Sequence, residues 1–130
     1  MKYLGVDFGI KRVGLARSEG DLASPYKILE GKGVWDLVEK IKNEAKEFDN
    51  IVIGVPEGRM GETVKKVIKS LRTEGLKVLE ADETLSSKNA IKLMVELGLS
   101  RKKRRSNDAI AASEILQNYL DQKNKQSLKF

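Results

Sequence analysis

Four acids stand where chemistry could use them: Asp7, Asp82, Glu83 and Asp108. Asp7 lies near the end of a short apolar run, Tyr3-Leu4-Gly5-Val6-Asp7-Phe8, which reads as a buried strand. Burying a lone carboxylate is costly unless it is paired, hydrogen-bonded or placed on a metal. Asp82-Glu83 closes a second strand pattern. Asp108 opens the last amphipathic pattern, in which Asp108, Ala112, Ile115 and Tyr119 fall on one helical stripe. Ala112 and Ile115 must face the core, so Asp108 faces the sheet as well. Beside these acids run Arg101-Lys102-Lys103-Arg104-Arg105, and Lys11-Arg12 follow Asp7 at the tip of a hairpin.

Carboxylates crowded together repel, and one takes a proton unless a cation intervenes. The chain has no histidine, which removes the commonest general base and zinc ligand. It has no cysteine, which excludes disulfides and thiolate metal sites. What remains is carboxylate chemistry with a hard cation such as Mg²⁺ or Mn²⁺. Two such cations about 3.5–4 Å apart suit phosphodiester cleavage. One activates the attacking water; the other stabilises the departing oxygen. In that scheme Asp7, on a rigid central strand, bridges the cations, and Glu83 and Asp108 complete their coordination. Asp82 is the alternative to Glu83, and Glu57, which also ends a parallel strand, is a further claimant. Lys11 and Arg12 would hold a phosphate. Arg101, Lys102, Lys103, Arg104 and Arg105 would track a nucleic-acid backbone without reading its sequence.

Each feature also has a local reading. Asp7 can pair with Lys11 or Arg12, or bond the turn at Phe8-Gly9. Asp82, Glu83 and Asp108 can serve helix dipoles, with Thr84 or Ser86 and Ser106 or Asn107 as caps. The basic run can be a solvated loop. Convergence of three acids at one sheet edge decides against the local readings.

The elements that must do the gathering follow from periodicity. Strands are expected at 3–8, 12–18 and 23–29, with Pro25 marking an edge or irregular position. Val34, Leu37, Val38, Ile41, Ala45 and Phe48 form the stripe of a helix over 34–48, with Trp35 at its border and a core role its plainer assignment. Ile51 to Val55 is a continuous apolar strand, hence central. A loop over 57–61 leads to a helix carrying Val64, Val67, Ile68 and Leu71, ended by Gly75. A strand over 76–81, a helix to about Leu97, and a last helix from Asn107 to about Leu120 complete the order. Residues 122–130 are expected to fray. Short turns make the first three strands antiparallel, and the later strand-helix-strand units are parallel. The sum is one α/β domain over 1–130, a mixed five-stranded sheet with helices on both faces. Ligands collect outside the carboxyl ends of parallel strands in such sheets.

The net charge of +6 favours a polyanionic partner. With no long apolar run and no secretory pattern after Met1-Lys2, the expected setting is cytoplasmic, with no membrane partner.

The stretch Leu4-Gly5-Val6-Asp7-Phe8-Gly9-Ile10-Lys11-Arg12-Val13-Gly14-Leu15-Ala16 resembles the opening motif of the YqgF/RuvX family. Ile51 to Pro56, Asp82-Glu83-Thr84-Leu85-Ser86-Ser87, and Asn107 to Leu120 resemble its other three motifs, in order, over nearly the whole chain. The resemblance implies a ribonuclease H-like fold related to the RuvC resolvases. It implies a nuclease that processes the 5′ end of precursor 16S rRNA, or a Holliday junction resolvase. It carries the family's acids onto Asp7, Glu83 and Asp108. The chain departs from the family at Thr84, where arginine is usual, and at Glu57-Gly58-Arg59-Met60-Gly61, where an Asn-Met-Asp-Gly-like stretch is usual.

Three rivals accompany the nuclease of structured RNA. A resolvase on four-way DNA would work as a homodimer. A non-catalytic RNA-binding factor of ribosome assembly would keep its affinity without the acids. A nucleotide phosphotransferase is suggested by Asp7-Phe8-Gly9-Ile10-Lys11, but those folds pair two such domains across a cleft.

Overall fold

A computed structural model describes residues 1–82 and 107–127. Three strands open it, β1 (Tyr3–Phe8), β2 (Arg12–Ser18) and β3 (Ser24–Glu30). Helix α1 (Val34–Ala45), strand β4 (Asn50–Val55), helix α2 (Arg59–Thr73) and strand β5 (Val78–Asp82) follow, and helix α3 (Asn107–Ser127) is last. The sheet has five strands in the order β3-β2-β1-β4-β5. β1 and β3 run antiparallel to β2, while β4 runs parallel to both β1 and β5. β1 is the central strand, as its apolar run required, and β3, with Pro25, is an edge.

Alternation along the strands divides the core in two. Leu4, Val6 and Phe8 of β1 point one way and pack with Leu37, Val38 and Ile41 of α1 and Val64, Val67 and Leu71 of α2. Tyr3, Ala16 of β2 and Val52 of β4 point the other way and pack with Ala112, Ile115, Leu116 and Leu120 of α3. Helices therefore cover both faces of the sheet. No helix among the described residues is long and apolar enough to cross a membrane.

Three expectations need correction. Trp35 does not join the core: it is 59% exposed, because Leu37, Val38, Ile41 and Ala45 already fill the buried face of α1. Helix α2 begins at Arg59, inside the stretch expected to be loop, because Gly58 at φ 79° turns the chain sharply enough to start it there. Helix α3 continues to Ser127, past the end expected near Leu120. Its polar end is tied down: the Gln117 amide donates to Asp121 Oδ1 at 2.9 Å and to the Asp21 carbonyl at 2.8 Å, and Lys123 Nζ donates to the Tyr3 hydroxyl. The expected helix to about Leu97, the basic run 101–105 and Glu83 lie outside the described residues.

Candidate functional site

The parallel strands set the frame. The carboxyl ends of β1, β4 and β5 share one edge of the sheet, called here the upper edge. The β1–β2 hairpin tip lies there, as does the turn after β4. Arg12 pairs with Glu30, so β3 also ends at this edge, and α1 starts from it. The amide of Gly31 donates to the Lys11 carbonyl at 3.3 Å and joins the hairpin tip to the approach to α1.

Asp7 alternates with Tyr3 onto the α3 face, and its register partner on β2 is Gly14. Directly opposed residues of an antiparallel pair have Cα atoms roughly 4.5–5.5 Å apart. Gly14 is where helix α3 touches down. A Cβ built on it would lie 1.9 Å from the carbonyl oxygen of Asp108 and 2.8 Å from the amide nitrogen of Ala109. Gly5 repeats the device lower on β1, where a Cβ would meet Leu116 Cβ at 2.8 Å and the Ala112 carbonyl oxygen at 3.0 Å. The missing side chains let the helix sit directly on the strands, and its first turn arrives beside Asp7. Sequence reasoning passed over Gly14 and Gly5 as site builders. The available signal was a glycine inside a strand pattern, which marks a close backbone approach.

Asp108 is half-buried, and its carboxylate Oδ2 lies 3.4 Å from Nε of Arg12. Burial raises its pKa above the usual carboxylate value, and the Arg12 charge opposes that rise without cancelling it. The one guanidinium contact leaves the carboxylate undercompensated. Arg12 thus faces an acid of the site, while Lys11 is exposed at the hairpin tip.

Strand β5 ends at position 82, in register with Val55 of β4. Glu57 is exposed in the turn between β4 and α2. Among the described residues, no three acids gather closely enough to hold a metal ion. The Asp108 backbone rests on Gly14, the register partner of Asp7, and both acids carry the hard oxygen donors that Mg²⁺ or Mn²⁺ take.

Residues 1–122 match the family model RuvX, described as Holliday junction resolvase. A protein of Fusobacterium nucleatum named "Putative pre-16S rRNA nuclease" is 37% identical over 136 residues, covering 94% of this chain and 98% of that protein. A protein of Syntrophomonas wolfei with the same name is 38% identical over 133 residues, covering 93% of this chain and 94% of that protein. Among solved structures, Thermus thermophilus RuvC in complex with a Holliday junction substrate superposes with TM-score 0.55 at 18% identity, covering 92% of this chain and 93% of that one. The fowlpox virus resolvase, solved with Holliday junction DNA, does so with TM-score 0.63 at 16% identity, covering 99% and 100%. These likenesses show the fold of the sheet, which is ribonuclease H-like.

Proposed function

The chain belongs to the RuvX family, and from that premise we propose that it is a metal-dependent nuclease hydrolysing phosphodiester bonds. Its first substrate in this reading is precursor 16S rRNA, processed at the 5′ end in the cytoplasm, with the ribosome as partner. The observation that carries the reading is the seating of Asp108 on Gly14, directly across the hairpin from Asp7.

Asp7, Glu83 and Asp108 are the proposed ligands and catalytic acids. Glu83 is preferred to Asp82 because the family resemblance carries the middle acid onto position 83. When bound, Mg²⁺ or Mn²⁺ supplies charge neutralisation and a water of lowered pKa. The chain supplies the rest. Asp7 holds its carboxylate on the central strand, paired with Gly14 of β2 one residue beyond the β1–β4 pairing that ends at Val6. Arg12 restrains Asp108 and stands where a substrate phosphate would need a counter-charge. Lys11 extends that charge to the hairpin tip, and Arg101, Lys102, Lys103, Arg104 and Arg105 draw in the phosphate backbone.

Cleavage of a precursor-rRNA mimic with Mg²⁺ or Mn²⁺ tests this, comparing wild type with Asp7→Asn. A loss of roughly 10³-fold or more, about 4 kcal/mol of barrier, is expected. Equal rates would overturn the site. The family description and the resolvase neighbours favour a second reading, resolution of four-way DNA junctions. Paired strand cleavage there calls for a homodimer, and a protein sedimenting strictly as a monomer with junction bound would count against it. RNA affinity that survives Asp7→Asn, with no cleavage by either protein, would instead mark a non-catalytic ribosome-assembly factor.

A further inference from the structure

Trp35 is the chain's one tryptophan and stands 59% exposed on the first turn of α1. A large aromatic left in water gives up burial that would otherwise stabilise the fold. Its position is specific. It lies at the upper edge, the end of the sheet that holds Asp7 and Asp108. Lys42, seven residues on and therefore on nearly the same stripe, reaches Glu74 just beyond α2 at 3.3 Å. Trp35 thus stands on the side of α1 toward α2, whose first residue, Arg59, starts at the same edge.

Charges of both signs stand at that edge, with Asp36, Glu57 and Glu62 exposed beside the cations. Lys11, Lys32 and Arg59 are all exposed, and Lys11 and Arg59 form no ion pair with any described residue. Among the described residues, the other large hydrophobic exposed at this end is Ile10, at the hairpin tip; Met1 and Leu22 lie at the opposite end. A protein partner would need a broader apolar patch than one ring and one isoleucine. A flat ring beside unpaired cations suits an unpaired base and its flanking phosphates.

The geometry points to Trp35 as a stacking platform for an unpaired base of single-stranded nucleic acid, with Lys11 and Arg59 holding the adjoining phosphates. This rests on the proposed nucleic-acid substrate and adds a demand on it: the strand must be single near the cut. Trp35 is a positioning residue in this role, since it lies across the sheet edge from the acids.

Because the tryptophan is unique, its own fluorescence reports the contact. The full-length protein is titrated in EDTA, so that no cleavage occurs, with oligoadenylate, oligodeoxyadenylate or inorganic polyphosphate. Both oligonucleotides should quench the emission, and any preference between them tells RNA from DNA. Polyphosphate should bind without quenching. Trp35→Ala should weaken oligonucleotide binding by about 5- to 100-fold, leave polyphosphate binding unchanged, and be largely rescued in Trp35→Phe. Oligonucleotide binding without quenching, or unaltered in Trp35→Ala, would overturn the platform. So would equal losses for polyphosphate, or self-association abolished by Trp35→Ala, which would give the ring to a second copy. Quenching with no cleavage in Mg²⁺ would leave the platform standing and overturn the nuclease reading alone. Failure to bind either oligonucleotide would overturn both.

Discussion

The two faces of the sheet are built to different ends. The α1/α2 face is dense and aliphatic: Leu4, Val6, Val13, Leu15, Leu37, Ile41, Val67 and Leu71 are fully buried there. The α3 face packs Tyr3, Val52, Ile115, Leu116 and Leu120 but intersperses them with small residues and polar ones. Gly5, Gly14, Ala16 and Ala112 let the helix descend, and Asp7, Asp108 and Ser18 share that side. Among the described residues, Ser18 Oγ is a buried side-chain oxygen with no hydrogen-bond partner. Large side chains stabilise the first face through apolar area. The second gives up area for close approach, and close approach is what brings the first turn of α3, with the Asp108 backbone, onto Gly14, the register partner of Asp7. Stability and site are thus held by opposite faces of one sheet.

The sharpest way to break that division is Gly14→Val. Its side chain would enter the space of the Asp108 carbonyl, so α3 must withdraw or the strand must shift. A loss of about 3 kcal/mol or more is expected in urea unfolding, with activity lost even in the fraction that stays folded. Ile41→Ala should separate the two roles from the other side. A cavity in the aliphatic core costs about 3 kcal/mol, yet cleavage per folded molecule should stay near wild type. If Ile41→Ala abolished cleavage in folded protein, the faces would not be independent.

Smaller effects should run the other way. Asp108→Asn should abolish cleavage but leave the metal-free protein as stable as wild type or more so, by less than about 1 kcal/mol. The sign follows from linkage. Burial raises the folded-state pKa of Asp108, so the folded state binds the proton more tightly than the unfolded chain. This group's contribution to stability is therefore greatest below the ordinary value of 3.8. It falls as pH rises through the interval between that value and the folded one, then levels off. Thermal melts of Asp108→Asn and wild type across that interval should converge at the acid end. Ser18→Ala should be the mildest change, neutral or stabilising by about 0.5–1 kcal/mol, because it removes an unpaired buried hydroxyl. A clear loss of stability in Ser18→Ala would mean that this hydroxyl is satisfied in solution.

Local pattern carried far in this chain. The unbroken run Ile51 to Val55 announced an interior strand, and the stripe Leu37, Val38, Ile41 and Ala45 announced the buried side of α1; both lie where their periods required. Trp35 misled, because its neighbours on the helix already filled the core and left it outside. The end of α3 misled for a different reason. The helical pattern ran out near Leu120, but Gln117 and Lys123 find partners on β1 and the β2–β3 turn that no local window contains. Arg12 was legible as a cation near the acids, though its partner Asp108 lies far along the chain.

Sequence alone settled the vocabulary of this protein. It settled which stretches are strand or helix, because alternation and helical spacing are short-range properties. It also excluded histidine and thiolate chemistry by composition. Only the tertiary structure decided that the first turn of α3, which carries Asp108, rests on the register partner of Asp7. A residue's parity along a strand is local, but the helix that comes to rest on that parity is chosen by packing across the whole chain. Here that choice turned on Gly14, where the absence of a side chain let α3 come down beside the central strand.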